Sequence, residues 1–264
     1  YGDNKMNIYV YGPKDDPYHR NQWFDPYPAE MAQGIRQLVS DAHANKVKFV
    51  WAMSPANSIF TEEDRTKALA KFEQMYDLGV RSFAIFFDDI EAKSVDAQID
   101  YMNFLTDKFV KAHNDVEPLI VCPTQYNQDW AQGDYLPKMG QQLAEGISIM
   151  WTGKQVLDMI NREDADWIIG QTGHLLMGQF YGNDNNLDDA LTAFCSNPMQ
   201  YAEANKVALY SVADYAWNPQ AYDPAQSWER AIPVIAPGHV EAFRTFCLNN
   251  VDVGDTWGKW HFLG

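Results

Sequence analysis

Several features are scarce or missing in this 264-residue chain, and each excludes a class of protein. The 20 Lys and Arg residues stand against 36 Asp and Glu residues, and the resulting net charge of −16 repels phosphate backbones and anionic lipids. No run approaches the ~18–20 uninterrupted apolar residues of a membrane helix. The first residues, YGDNKMNIYVYG, have neither the basic nor the apolar region of a signal peptide. We therefore expect no nucleic-acid partner, no membrane association, and a neutral or polar substrate.

Cysteine is also scarce. Cys122, Cys195 and Cys247 lie far apart without CxxC spacing, which favours neither a disulfide framework nor a zinc site. There is no internal repeat, low-complexity stretch or obvious linker. Because 46% of the residues are hydrophobic and 14% aromatic, the chain can bury a sizeable core. We expect one large domain, or one large domain with a small appendage.

Short β-branched and aromatic runs alternate with segments of helical period, which predicts βα units around a parallel sheet. Strands are predicted at NIYVYGP and at residues 46–55, 81–90, 118–126, 146–153 and 206–218. Helices are predicted at residues 28–45, 61–79, 94–114, 155–169, 189–205 and 226–235. The helix over 61–79 has the strongest signals, because Thr61 is a suitable N-cap and Gly79 a suitable stop.

Each predicted strand ends in a polar or aromatic cluster: YGPKDD, MSP, FFDDI, PTQYN, WTG and ADYAWN. In a (β/α)₈ barrel the active site is built from the loops that follow the strands, so these clusters predict one shared site. The six predicted strands are fewer than the eight that such a barrel needs.

Asp88 and Asp89 end the apolar run FAIFF, where two charged neighbours would repel each other if both were buried. Adjacent strand residues point to opposite faces, so both can reach one pocket only where the strand ends and the backbone turns. Two close carboxyls allow one to stay protonated as an acid while the other stays charged. The structural alternative is a polar strand exit or a pair of helix N-caps.

Other strand exits carry side chains suited to a hydroxylated ligand. Lys14 and Tyr126 follow the first and fourth strands, and Asn218 follows the last. Trp151 and Trp217 offer flat apolar faces for a sugar ring. Each of these residues alone is explained by packing, turn chemistry or a solvated loop, but as a set they indicate a carbohydrate site.

The stretches NKMNIYVYGPKDDPYHR, LGVRSFAIFFDDI, PLIVCPTQYN, ISIMWTG, YGNDNN and NPMQYAEANKVALYSVADYAWNPQAYD occur in this order. Together they resemble the catalytic domain of glycoside hydrolase family 84, which includes bacterial homologues of O-GlcNAcase. The resemblance implies a catalytic (β/α)₈ TIM-like barrel over residues 1–235. Residues 236–264 would form a C-terminal extension, helical or irregular, that packs on the barrel.

The resemblance also implies roles for individual residues. Asp88 would orient and polarise the substrate's 2-acetamido group, and Asp89 would protonate the leaving oxygen and then activate water. Further positions match substrate-binding residues of the family: Lys14 at the sugar hydroxyls, Tyr126 near the acetamido group, Asn218 after the last strand, and Cys122, Thr152 and Val156 around the acetamido pocket.

The implied activity is that of a retaining β-N-acetylglucosaminidase that removes O-linked GlcNAc from Ser or Thr of glycoproteins. The substrate's own amide would be the nucleophile, so no metal or organic cofactor is expected. A GlcNAc-binding, lectin-like barrel without turnover and a hyaluronidase-type endo-enzyme are the alternatives, the latter disfavoured by the acidic charge. The family points to a bacterial, secreted or periplasmic protein, and the oligomeric state is left open.

Two family segments have no counterpart in the sequence. The chain starts after the position of the first barrel strand, and only Thr172-Gly173-His174 stands where the family has its seventh strand. The expected fold is therefore an α/β barrel that lacks the first and seventh strand segments. Either those segments lie outside this sequence, or the chain is truncated, or the barrel is remodelled.

Overall fold

The structure, a computed structural model, describes residues 1–55, 61–88, 90, 94–156, 158, 160–172, 176–177, 184–187, 189–198 and 201–249. The chain forms two compact units, residues 1–196 and 197–264. The predicted domain boundary at residue 235 stays a prediction. Within the described residues, no helix combines the length and the apolar character needed to cross a bilayer.

The first unit is built on a six-stranded parallel sheet whose spatial order follows the chain order. Its strands are β1 (Ile8–Tyr11), β2 (Lys48–Met53), β3 (Ser82–Phe86), β4 (Ile120–Cys122), β5 (Ser148–Met150) and β6 (Leu176–Met177). The strands β1 to β5 lie within segments that the sequence predicts as strands. Consecutive parallel neighbours joined by helices are the arrangement of βα units, so the predicted α/β class is confirmed.

The helices described in the first unit are α1 (Ala29–Ala44), α2 (Glu62–Asp77), α3 (Val95–Lys108), α4 (Tyr135–Gln142) and α5 (Arg162–Thr172). The start of α2 is a capping box, in which Thr61 Oγ1 accepts from the Asp64 N–H at 3.1 Å and the Asp64 carboxylate accepts from the Thr61 N–H at 3.0 Å. Gly79, with a φ of 101°, follows its end, as predicted.

The two faces of the sheet are packed differently. The outer face, which packs against the helices, carries Phe49, Trp51, Met53, Phe83, Ile85, Phe87, Val121, Ile149 and Trp151, all fully or almost fully buried. The inner face carries Val50, Ala52 and Ala84, with Ile8, Val10, Phe86 and Ile120 packed around them and half-buried. This alternation along each strand fixes which side chains can line a barrel interior.

The predicted strand over residues 206–218 is wrong. Residues 202–217 form helix α6 (Ala202–Trp217), whose buried residues include Val212, Ala213 and Tyr215. The segment is rich in alanine, and this high helix propensity outweighs the β-branched and aromatic residues that suggested a strand. The predicted helix over 189–205 is also wrong for residues 189–198, which are irregular.

The sixth strand of the sheet comes from a different segment than predicted. Ile149 of β5 pairs with Leu176 of β6, across the place where the sequence analysis expects the family's seventh strand to be missing. Among the described residues, the sheet therefore continues over this gap without an intervening strand.

The second unit is helical where it is described. It contains α6, α7 (Pro224–Ile235) and α8 (Val240–Leu248). The helix predicted at residues 226–235 lies within α7. Asp223 caps α7, because its carboxylate accepts from the Gln226 N–H at 2.8 Å, and Pro224 occupies the first turn, where no N–H is needed.

Candidate active site

The candidate site lies where β3 ends. Ala84 and Phe86 face inward, and Phe87 is fully buried on the outer face. By the same alternation Asp88, which follows in a turn and is half-buried, belongs to the inner side. The apolar run thus ends on an acid at the rim of the sheet rather than in the core. Asp89 lies outside the described residues, so its placement stays a prediction.

The backbone that carries Asp88 is held on both sides of the preceding residue. The Phe87 N–H donates to the Cys122 carbonyl at 2.8 Å, which extends the β3–β4 pairing by one bond. The Thr124 hydroxyl donates to the Phe87 carbonyl at 2.9 Å. The exit of β3 is therefore fixed against the exit of β4.

Cys122 and Thr152 also belong to the inner side. Cys122 ends β4 and is half-buried, in the same alternation as the inner-face residue Ile120. Thr152 follows β5, and because Ile149 and Trp151 face outward, it lies on the inner side as well. The first-unit candidates Asp88, Cys122 and Thr152 thus occupy the same face and the same edge of three neighbouring strands.

The loops after β4 and β5 bring Tyr126, Thr152 and Val156 together. The Tyr126 carbonyl accepts from the Thr152 N–H at 3.0 Å. The Thr152 hydroxyl donates to the Gln155 carbonyl at 2.7 Å, and Val156, in the same turn, is 40% exposed. Tyr126 is half-buried and meets Trp130 in a T-shaped contact with ring centroids 5.0 Å apart. These residues line one side of the rim.

Lys14 is exposed in the turn after β1, which is anchored by a buried acid that the sequence did not single out. The Asp16 carboxylate accepts from Tyr11 Oη at 2.9 Å, Tyr27 Oη at 2.7 Å and the Tyr18 N–H at 2.8 Å. Burial, assisted by this carboxylate, raises the pKa of Tyr11 and of Tyr27, so both phenols stay protonated as donors. Asp16 is therefore a structural acid that shapes the loop carrying Lys14.

The two tryptophans predicted as sugar platforms have different outcomes. Trp151 is 1% exposed and stacks on Trp167 at 6.0 Å on the outer face, so its ring cannot meet a ligand on the inner side, and this prediction is wrong. The alternation of the strand places it there, one residue before Thr152. Trp217, at the end of α6 in the second unit, is 69% exposed.

Asn218 also belongs to the second unit and follows a helix rather than a strand. It is exposed, and its Oδ1 accepts from the Ala221 N–H at 3.2 Å, which caps the short 3₁₀ helix Pro219–Ala221. Its predicted role at the sugar stays a prediction.

Sequence reasoning missed a buried polar group beside the β3 exit. Gln98 of α3 is fully buried, donates to Thr124 Oγ1 at 2.8 Å and accepts from Tyr135 Oη. The signal was present, because Gln98 interrupts the apolar stripe that Val95, Ile99 and Met102 form on α3. In the described part of the chain, no group of three or more His, Cys, Asp or Glu side chains is placed to hold a metal ion.

Comparison with known proteins places this arrangement in a family. The sequence profile described as beta-N-acetylglucosaminidase matches residues 1–174 and 169–248, two stretches that overlap at residues 169–174. Protein O-GlcNAcase of Rattus norvegicus and of Mus musculus are each 28% identical over 243 residues, covering 80% of this chain and 26% of theirs.

Solved structures agree. The protein titled CpGH84B superposes with a TM-score of 0.88 at 35% identity, covering 93% of this chain and 49% of its own. A mutant of Thermobaculum terrenum O-GlcNAc hydrolase gives a TM-score of 0.88 at 26% identity, covering 95% of this chain and 61% of its own. The chain thus spans less than two thirds of each of these relatives. It shares the TIM-barrel-derived fold and belongs to the beta-N-acetylglucosaminidase family, glycoside hydrolase family 84.

Proposed function

We propose that the chain is a retaining β-N-acetylglucosaminidase that uses the substrate's 2-acetamido group as nucleophile. The observation that carries the proposal is that β3, β4 and β5 are neighbours whose exits carry Asp88, Cys122 and Thr152, which the alternation of side chains assigns to the inner side. A carboxylate at the rim of a half-buried, weakly polar face can stabilise a developing positive charge. Membership of the family supplies the reaction type.

In the first step the acetamido oxygen attacks C1 while the bond from C1 to the leaving oxygen breaks. Asp89 gives its proton to that oxygen, and Asp88 stabilises the positive charge that spreads over the amide nitrogen of the oxazolinium-like intermediate. In the second step a water gives its proton to Asp89 and attacks C1, which reopens the amide. Two inversions at C1 give net retention, so this scheme is the substrate-assisted exception to the two-carboxylate mechanism.

The remaining candidates are proposed as binding residues. Cys122, Thr152 and Val156 would line the acetamido pocket, and Tyr126 would contact the region between the acetamido group and C1. Lys14 would donate to sugar hydroxyls from the loop anchored by Asp16. For Asn218, the role as a sugar contact is proposed from the family resemblance alone. The small, half-buried side chains of Cys122 and Thr152 suit a methyl-bearing acetamido group better than a charged substituent.

The proposed substrate is O-linked GlcNAc on Ser or Thr of glycoproteins. The rat and mouse relatives are named O-GlcNAcase, and the Thermobaculum terrenum relative is an O-GlcNAc hydrolase. A neutral sugar on a polypeptide also suits a protein with a net charge of −16 better than a polyanionic glycan does.

The test compares Asp88→Asn and Asp89→Asn with the parent on two substrates, 4-nitrophenyl β-N-acetylglucosaminide and a GlcNAc-serine peptide. Asp88→Asn is expected to lower kcat/KM by about 10²–10⁴-fold on both. Asp89→Asn is expected to lose much more kcat/KM on the peptide than on the nitrophenyl substrate, because nitrophenolate is a good leaving group that needs no proton. Asp41→Asn, an exposed acid on α1, is the matched control and should retain parental activity.

Equal activity of parent and Asp88→Asn would refute the proposed role of Asp88. A parent that binds a thiazoline-type inhibitor but cleaves neither substrate would instead identify a GlcNAc-binding barrel without turnover. Cleavage within hyaluronan, with none of either GlcNAc substrate, would identify the endo-enzyme.

A further inference from the structure

We propose that Gln98, Thr124 and Tyr135 form a positioning unit that fixes the Phe87 carbonyl, and through it the backbone of Asp88, for the reaction proposed above. The inference rests on that proposed function but not on the placement of Asp89. The positioning unit joins three elements: Gln98 lies on α3, Thr124 follows β4, and Tyr135 begins α4.

The hydrogen bonds of the positioning unit have a single consistent direction. Tyr135 Oη accepts from the Thr124 N–H at 3.0 Å and donates to Gln98 Oε1. Gln98 Nε2 donates to Thr124 Oγ1 at 2.8 Å, and that hydroxyl donates to the Phe87 carbonyl at 2.9 Å. Each hydroxyl thus uses its one proton, so turning the Gln98 amide over would break the chain of bonds.

The protonation state of Tyr135 supports this direction. Burial raises the pKa of Tyr135 to about 12, since the ionised phenolate would be poorly solvated among the side chains around it. The hydroxyl therefore keeps its proton at neutral pH and remains a donor to Gln98.

The bond to the Phe87 carbonyl reaches Asp88 through the peptide plane. The Phe87 carbonyl oxygen and the Asp88 nitrogen belong to one rigid peptide unit. The Phe87 N–H is already held by the Cys122 carbonyl at 2.8 Å, so the hydroxyl of Thr124 fixes the remaining rotation at the strand exit.

Stability alone does not explain why Gln98 occupies this position. Gln98 is fully buried beside Ile99 and Met102, where an apolar side chain would pack without a desolvation cost. A fully satisfied polar network in such a place selects one geometry over its alternatives. The geometry selected here is that of Phe87, the residue before the proposed catalytic pair.

The experiment uses Thr124→Val, which keeps the side-chain shape and removes the hydroxyl, and Thr124→Ser, which restores it. Thr106→Val is the matched control, because Thr106 is buried on the same helix as Gln98 and its hydroxyl has no hydrogen-bond partner among the described residues. With 4-nitrophenyl β-N-acetylglucosaminide, Thr124→Val should lower kcat by about 10- to 100-fold, since displacement of a reacting group by about 1 Å has effects of this size. KM should change by less than about threefold.

Amide hydrogen exchange over residues 83–88 is the second readout, and it does not depend on turnover. Exchange should accelerate at this strand exit in Thr124→Val, and remain parental in Thr106→Val and close to parental in Thr124→Ser. If the parent cleaves nothing, the proposed function fails while exchange still decides whether the unit holds the Asp88 backbone.

The positioning role is overturned if Thr124→Val retains kcat, if its exchange at residues 83–88 is parental, or if Thr106→Val shows the same losses. If Thr124→Val does not fold, Tyr135→Phe, which removes one hydroxyl of the unit, is measured in the same two ways. It should again lower kcat at nearly constant KM, with faster exchange at the same residues, and parental values in both readouts would overturn the inference.

Discussion

The outer and inner faces of the same sheet differ in the size and burial of their side chains. On the outer face, Phe72 of α2 stacks on Phe83 at 4.8 Å, and Trp51 and Phe109 close edge-on around this pair at 5.0–6.4 Å. On the inner face, β2 and β3 contribute small residues such as Val50, Ala52 and Ala84. The outer face thus supplies most of the core, and the inner face leaves room at the rim.

This difference shows how one strand can serve two purposes. In FAIFFD, Phe83, Ile85 and Phe87 are buried in the outer core, whereas Phe86 and Asp88 belong to the inner side. Because side chains alternate with a period of two, residues for stability and residues for chemistry are interleaved without competing for space. The comparison predicts that substitutions on the two faces have separable effects.

The largest change in stability is expected at Phe83, which is fully buried. Phe83→Ala should lower the free energy of unfolding by about 3–5 kcal/mol through lost burial and a cavity in the aromatic cluster. Phe86→Ala, the same substitution on the inner face of the same strand, should cost only about 1–2 kcal/mol because that ring is half-buried. Urea unfolding followed by tryptophan fluorescence measures both.

The two substitutions should affect activity per folded molecule in the opposite order, with the larger loss on the inner face. Activity should stay parental in Phe83→Ala and fall in Phe86→Ala, whose side chain lies on the Asp88 side of the sheet. Equal stability losses in the two variants would show that the two faces contribute equally to the core, and would contradict the conclusion that the outer face supplies most of it.

A smaller effect is expected at Gly12, where β1 meets the inner rim. A Cβ atom there would lie 2.9 Å from Cε2 of Phe86 and 3.4 Å from Cβ of Ala52, so Gly12→Ala should cost about 1–3 kcal/mol. Gly34→Ala on α1 is the control, since nothing lies within 4 Å of its added Cβ, and it should stabilise by about 0.5–1 kcal/mol.

The clash at Gly12 can be assigned to its partner by a double-mutant cycle. Combining Gly12→Ala with Phe86→Leu should recover part of the loss, because the aromatic edge is removed. Additive losses in thermal or urea unfolding would mean that the Phe86 ring is not what crowds this rim.

The smallest effect concerns Lys71, a cation buried in the layer that covers the outer face, and it is confined to alkaline pH. Lys71 Nζ lies 4.0 Å above the Tyr27 ring and donates to the Asp25 carbonyl. Burial lowers the pKa of Lys71 from 10.5 to about 8. Between these values the unfolded chain binds more protons than the folded one, so stability should rise with pH relative to Lys71→Met.

The measurement is the urea midpoint of parent and Lys71→Met at pH values from 7.5 to 10.5. Lys67→Met is the control one turn earlier, where a hydrogen bond from Lys67 to Glu63 raises the pKa of the lysine. Relative to Lys67→Met, the parent should not gain stability as the pH rises. A lysine whose pKa is raised holds its proton more tightly in the folded state, so its contribution to stability falls as the pH rises. A parallel pH dependence of parent and Lys71→Met would show that burial does not disfavour the charged form of Lys71 in the folded state.

The sequence by itself determined the features that depend on local patterns. Period-two and period-3.6 hydrophobicity located β1 to β5 and α2, the Thr61 and Gly79 signals located the ends of α2, and the apolar run ending in Asp88 located the candidate site. These features are encoded within a few neighbouring residues, so no knowledge of distant contacts is required.

Only the tertiary structure decided the features that depend on segments far apart in the chain. The sequence could not show that Trp151 stacks on Trp167 away from the inner side, because either face of a buried strand is apolar. It could not show that β6 pairs with β5, or that Gln98 meets Thr124 and Tyr135. In each case the partners are more than 25 residues apart in the chain, and only the fold brings them into contact. Residues 206–218 combine alanines, which favour a helix, with β-branched and aromatic residues, which favour a strand, so the local pattern left the choice open, and the structure forms α6.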